Sequence, residues 1–158
     1  MAKETKTNAM RILEQMGIAF SHTEYEADEF TDGASTADKL GLDHDQVFKT
    51  LVTTGADRNH YVFVIPVDET LDLKKCAKSV GVKSVEMLPQ KELFPLTGDV
   101  RGGCTAIGMR KKFVTRIDET AQLFDAIYVS GGRIGCQLCL APDDYLSAAD
   151  AAYADLTE

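Results

Sequence analysis

The sequence predicts an α+β fold: a single domain over residues 1–158, with a twisted, mostly antiparallel, barrel-like sheet and short helices around it. Three observations lead there. Short apolar stretches of strand length outnumber the helical ones. The helical stretches are brief and end at glycine, too few and too short to cover a doubly wound sheet. Strands and helices also fail to alternate in the regular order of βαβ units.

From the N-terminus, Met10, Ile12, Leu13 and Met16 sit at helical spacing over residues 7–16, and Gly17 is placed to stop that helix. IAFSHTEY (18–25) reads as a strand with Ile18, Phe20 and His22 on one face. After a turn at Gly33, ASTADKLG forms a short helix ended by Gly41. Asp43 and Gln46 have capping-box spacing, so a helical turn leads into the strand VFKTLVTT. GADRN then connects tightly to HYVFVIPV (60–67), giving an antiparallel hairpin. A helix over about 71–80 ends at Gly81 and precedes the strand VKSVEM, and a second short helix starts near Pro89. FVTRID, AIYVSG and CQLCLA are three further strands, and DDYLSAADAAYAD closes the chain as a helix.

One residue in this layout stands out. In VFKTLV (47–52), Val47, Lys49 and Leu51 share one strand face and Phe48, Thr50 and Val52 the other. Both faces are apolar, as in a strand covered on both sides, yet an ammonium lies in the middle of one. A charge there needs a partner, a wet cavity or a ligand.

Composition sets bounds on function. The chain is 44% hydrophobic and 27% charged, outside the range of disordered proteins. No apolar run approaches the ~20 residues that span a bilayer, and the polar N-terminus lacks a signal peptide's apolar core, so the expected location is cytoplasmic with no membrane contact. A net charge of −8 argues against DNA or an extended nucleic-acid groove. The cations do cluster, as Lys74, Lys75, Lys78 and Lys83, then Arg101, Arg110, Lys111, Lys112 and Arg116. They fit either a local contact with a few phosphates or solvated faces.

GDVRGGCTAIGMRKK (98–112) and SGGRIG (130–135) are glycine-rich loops that either bring backbone N–H groups to a ligand or make bulges and hairpin turns. Neither matches a Walker loop or a dinucleotide fingerprint. Cys76, Cys104, Cys136 and Cys139 are expected to be reduced and buried thiols, because the CQLC pair diverges in a strand and no histidine has ligand spacing with it. No metal and no cofactor is expected. No spacing marks a side-chain nucleophile or a general base, His22 included.

VFKTLV (47–52), LDLKKCAKSVGVKSVEM (71–87), RGGCTAIGMRKK (101–112) and IYVSGG (127–132), in that order over nearly the whole chain, resemble the YbaK/EbsC family of aminoacyl-tRNA editing proteins. The resemblance implies a fold like the editing domain of prolyl-tRNA synthetase and a free-standing deacylase that clears cysteine from mischarged tRNA(Pro), with tRNA(Cys) as a further acceptor. It places Lys49 at the family's lysine, which contacts the aminoacyl-adenosine end. Tyr25 matches a family tyrosine. Gly102 and Gly103 match the first glycine motif, with Ile107 and Gly108 following in the same loop, and Ser130, Gly131 and Gly132 match the second. Catalytic roles fall on Lys49, Gly102 and Gly103, the last two as backbone donors. Substrate binding falls on Tyr25, Ile107, Gly108, Ser130, Gly131 and Gly132.

Three residues depart from the family pattern. Thr105 and Ala106 replace the usual serine and proline, which loosens that loop, and Cys139 stands where an acid is frequent. The implied chemistry is substrate-assisted, with the cysteinyl thiol attacking its own ester. The implied partners are the aminoacyl-tRNA 3′ end, held through two or three phosphate contacts from Lys49, Arg110, Lys111 and Lys112, and prolyl-tRNA synthetase as a transient partner. Alternatives are a deacylase for another small residue such as alanine, or a non-catalytic binding or regulatory module; the oligomeric state stays open.

Overall fold

The structure, a computed structural model, describes residues 6–28 and 31–158. Helix α1 spans Asn8–Gln15, where the Thr7 hydroxyl accepts from the Met10 N–H. It buries Ala9, Met10 and Leu13 and leaves Met16 exposed. Helix α2 (Gly33–Leu40) is capped by Asp32 and ends at Gly41, and α3 (Leu73–Val80) is capped by Asp72 and ends at Gly81. Both terminal glycines adopt positive φ, 68° and 73°, the conformation in which a side chain would be strained. Aspartate before and glycine after thus bound both helices locally.

Among the described residues there are two sheets. The first is antiparallel, in the order β1 (Ser21–Glu24), β7 (Cys136–Leu140), β6 (Ile127–Ser130). The second has the order β4 (Val85–Met87), β2 (Phe48–Gly55), β3 (His60–Pro66), β5 (Val114–Asp118), β8 (Ala152–Ala154). β2 pairs antiparallel with β3 and β4, whereas β3–β5 and β5–β8 are parallel. A lone parallel bridge between Val47 and Tyr128 joins the sheets. Four of these six strand pairings are antiparallel, in line with the mostly antiparallel expectation, while among the described residues no closed barrel forms and the barrel-like sheet is instead two sheets. Parallel pairing needs long crossovers, and the segment between β3 and β5 supplies one by carrying α3, β4 and α4 (Leu93–Thr97).

The hairpin of β2 and β3 closes through a Gly55 N–H to Asn59 carbonyl bond of 2.8 Å, with Arg58 at φ 69°. The expected strand over 18–25 shortens to β1; Ile18 and Phe20 pack on the core, while His22 is exposed. A 3₁₀ turn, Glu119–Leu123, follows β5 where no element was expected.

The C-terminal helix is the larger correction. α5 (Pro142–Ala149) ends at Asp150, φ 52°, and the alanine-rich remainder becomes strand β8. The buried Asp118 carboxylate accepts the Leu156 N–H at 3.0 Å and also takes the N–H and hydroxyl of Thr120. Leu156 itself has no solvent exposure. Tertiary anchoring therefore overrides the helix propensity of the alanines.

The main core lies between the sheets, with α1 and α5 closing it through Leu13 and Tyr145. A second cluster packs α3 under the other face of β3 through Phe63, Ile65 and Cys76. Every residue of β3 beyond His60 is buried, so this strand is covered on both faces.

Candidate functional site

β2 carries Lys49 between two packed neighbours on the same face. Val47 is buried against Ala37 and Val67 below α2, and Leu51 packs on the α3 cluster. On the opposite face Phe48 enters the main core and Val52 packs with Cys104. The strand is thus covered on both sides and Lys49 emerges into a cleft of about 370 Å³. Burial holds its ammonium below the ordinary lysine value, while Asp68, Asp32 and Glu69 act in the opposite direction. Asp68 is committed elsewhere, 2.8 Å from His44 Nδ1, and among the described residues Lys49 makes no ion pair.

Tyr25, Gly102 and Ser130 line the same cleft as Lys49, so the structure brings these four expected residues together from separate segments. Tyr25 is fixed by its N–H bonding the Gly135 carbonyl at 2.8 Å. The two glycine loops pack on each other: a Cβ at Gly103 would lie 2.9 Å from the Arg133 backbone. An ion pair of Arg133 with Glu24 ties the second loop to β1.

The expected backbone donors fare unevenly. The Gly103 N–H bonds the Val100 carbonyl at 2.9 Å, the Gly131 N–H the Cys136 carbonyl at 2.8 Å, and the Gly132 N–H the Ser130 hydroxyl at 3.2 Å. Of the proposed donor pair, only Gly102, at φ 86°, lines the cleft. The Gly103 N–H serves a turn.

Ile107 and Gly108 do not line the cleft either. Ile107 is 1% exposed within the main core, and Gly108 packs against Asn8 and Ile12 of α1. Arg110, Lys111 and Lys112 also lie off it. Arg110 donates to the Pro95 carbonyl and stacks on Phe94, and Lys112 pairs with Asp150. The cations at the cleft are Lys49 and Arg101.

Sequence reasoning missed Asp32, Thr50, Cys104 and Gln137 and saw Arg101 only as part of a cation cluster, yet all five line the cleft. Asp32 accepts the Ser35 N–H at 2.8 Å, which holds its carboxyl below the usual range. Gln137 is 5% exposed, yet its amide makes no hydrogen bond with a described residue and opens onto the cleft. The signal for it was present: in CQLCL the core face is Cys136, Leu138 and Leu140, which leaves the glutamine facing the other way.

Chemistry by the chain's own nucleophiles has little support. Cys104 is 7% exposed and burial pushes its thiol up, and Cys76 is pushed up to about 12. Cys136 and Cys139 lie on opposite faces of β7. Among the described residues no group of three His, Cys, Asp or Glu side chains is placed to hold a metal ion. Burial raises the Asp99 carboxyl to about 6, partly offset by the Thr105 N–H at 3.3 Å.

The sequence profile of the aminoacyl-tRNA editing domain matches residues 29–148. The chain belongs to the aminoacyl-tRNA editing domain family. This editing domain is 44% identical over 155 residues to EbsC of Enterococcus faecalis (strain ATCC 700802 / V583), named as a candidate Cys-tRNA(Pro)/Cys-tRNA(Cys) deacylase. The match covers 98% of this chain and 94% of that protein. A solved structure described as a candidate trans-editing enzyme for prolyl-tRNA synthetase superposes with TM-score 0.83 at 24% identity, covering 98% of this chain and 99% of the other. A hypothetical protein, APE2540, superposes with TM-score 0.85 at 23% identity, covering 94% and 97%. At such identities the two structures establish the fold of the editing domain, and they agree with the α+β, synthetase-editing-like expectation.

Proposed function

We propose that this chain is an aminoacyl-tRNA deacylase that removes cysteine from Cys-tRNA(Pro), with Cys-tRNA(Cys) as a second substrate. The observation that carries this reading is Lys49: a half-buried ammonium, without an ion pair among the described residues, facing a cleft that holds no activated nucleophile. A site of this kind binds and orients an oxygen-rich end and leaves the bond-making to the substrate.

The reaction balances without any protein nucleophile. The substrate's thiol sulfur attacks its own ester carbonyl carbon, forming a C–S bond. The ester C–O bond breaks, and the thiol proton passes through solvent to the departing ribose oxygen. The resulting thiolactone takes up water and opens to free cysteine. Correct positioning is worth up to ~7–11 kcal/mol, and one donor aimed at the developing oxyanion adds ~3 kcal/mol. Lys49 and the Gly102 N–H are the groups assigned to the ester and its oxyanion. The Gln137 amide is assigned to the amino group or carbonyl of the aminoacyl moiety, since it offers both a donor and an acceptor.

Tyr25 and Ser130 wall the pocket. Prolyl-tRNA synthetase is the transient partner that holds the body of the tRNA, since among the described residues of this acidic chain the cations lining the cleft are Lys49 and Arg101. Turnover of Cys-, Ala- and Ser-tRNA(Pro), alongside S-methylcysteinyl-tRNA(Pro), tests the reading. Release of cysteine alone, with the methylated ester inert, is expected. Equal hydrolysis of alanine or of the blocked thiol would remove the substrate thiol from the mechanism.

A further inference from the structure

Lys49 and Leu51 line two hollows. Beside the cleft lies a larger one of about 620 Å³, bounded by β2, the 69–72 segment, the start of α3 and β4. Its walls carry Leu51, Leu73 and Met87, and the latter two are 39% and 47% exposed. Such large side chains left facing one hollow are walls without a covering element.

Building on the deacylase reading, we propose that this hollow binds the terminal adenosine of the aminoacylated RNA, its base against Leu73 and Met87. The division of chemistry between the lobes supports this occupant. The narrower cleft is lined by Thr50, Ser130, Gln137 and Asp32, groups that suit an ester, an amino group and ribose hydroxyls. The wider lobe offers flat apolar contact, with a methionine thioether that makes favourable contacts with aromatic rings. Glu69 and Asp72 also line it and accept hydrogen bonds only, which complements the exocyclic amine of adenine. Lys49 at the junction and Lys74, which also lines the hollow, supply positive charge for the 5′-phosphate. The N–H groups of Lys74 and Lys75 at the start of α3 bond Asp72 Oδ1, so the helix end is not the anion site. A single groove therefore runs from aminoacyl group to base, with Lys49 at its waist.

The test uses the full chain carrying ¹³C-methyl methionine, titrated with adenosine 5′-monophosphate and separately with uridine 5′-monophosphate. The Met87 methyl resonance, assigned through Met87→Leu, should shift with the adenine nucleotide. Leu73→Asp, at an exposed position, should weaken that binding by about tenfold or more. The uridine nucleotide, which presents an oxygen acceptor where adenine presents an amine, should bind more weakly. An unmoved Met87 methyl, unchanged affinity in Leu73→Asp, or equal binding of the two nucleotides would each overturn the assignment. Turnover of Cys-tRNA(Pro), measured in parallel, separates the two readings. Turnover without adenine binding sinks only the base site, and adenine binding without turnover sinks only the deacylase.

Discussion

Ser130 and Gln137 are register partners on β6 and β7, side by side on the wall of the cleft, and their polar groups are used differently. The Ser130 hydroxyl accepts the Gly132 N–H at 3.2 Å, whereas the Gln137 amide opens onto the cleft without a bond to a described residue. One shapes a loop and the other faces the cleft. Gln137→Leu should therefore cost no stability while lowering kcat/KM on Cys-tRNA(Pro) by about tenfold, ~1.4 kcal/mol. A urea midpoint and steady-state kinetics check both halves, and a large drop in the midpoint with unchanged kinetics would assign Gln137 to the fold.

Lys49→Met keeps the aliphatic stem and removes a desolvated ammonium that has no ion pair among the described residues. Folding should be unchanged or strengthened, because no ion pair is lost and a costly buried charge disappears. Deacylation should fall at least about tenfold. Wild-type turnover in this variant would reduce Lys49 to a side chain that merely covers apolar surface.

Single replacement of Cys76, Cys104, Cys136 or Cys139 by alanine should leave most of the activity wherever the variant folds. The closest thiol to the cleft, Cys104, is shifted away from the thiolate by burial. A folded Cys104→Ala protein with no turnover, together with an aminoacyl thioester trapped on the wild type, would place the nucleophile on the enzyme.

Asp99 makes stability depend on pH in a stated direction. Its folded value, about 6, lies above the ordinary carboxylate value near 4. Between those two values the folded chain keeps a proton that the unfolded chain has released, so stability falls as pH rises through the window and levels above it. Asp99→Asn keeps an oxygen acceptor for the Thr105 N–H and abolishes the titration. It should stabilise the protein at pH 7 by about 1 kcal/mol, a figure discounted for solvent screening, and by nothing near pH 4. Denaturant midpoints at both pH values decide it: an equal difference at each would rule out the carboxyl as the cause.

The salt dependence of tRNA binding should be shallow. With Lys49 and Arg101 as the cations of the cleft, about two phosphates are neutralised, giving a logarithmic slope of about 1.4–1.8 at roughly 0.7–0.9 per contact. Titrations of tRNA(Pro) and an unrelated tRNA across a salt series, without synthetase, should give similar affinities. A steep slope, or strong discrimination between the two, would mean that this domain reads the tRNA body itself.

The sequence by itself determined most local elements and singled out Lys49 as a charge in need of a cleft. Aspartate caps and positive-φ glycines bound α2 and α3 because those signals act within a few residues of chain. The alternation of VFKTLV put Lys49 between Val47, which is buried, and Leu51, which is half-buried, and such a charge is legible wherever the strand goes. Only the tertiary structure decided the rest. The turn at Asp150 and the pairing of β8 with β5 depend on Asp118 reaching the Leu156 N–H, a contact across 38 residues. Ile107 and Gly108 follow the glycine motif in sequence but turn into the core and onto α1, because neighbours along a loop need not face the same way. Whether a loop N–H is free for a ligand depends on the carbonyl it meets, as Gly103 does at Val100. Arg101, Gln137 and the hollow beside Lys49 owe their meeting to segments far apart in the chain, and pairwise distance is a property of the folded molecule alone.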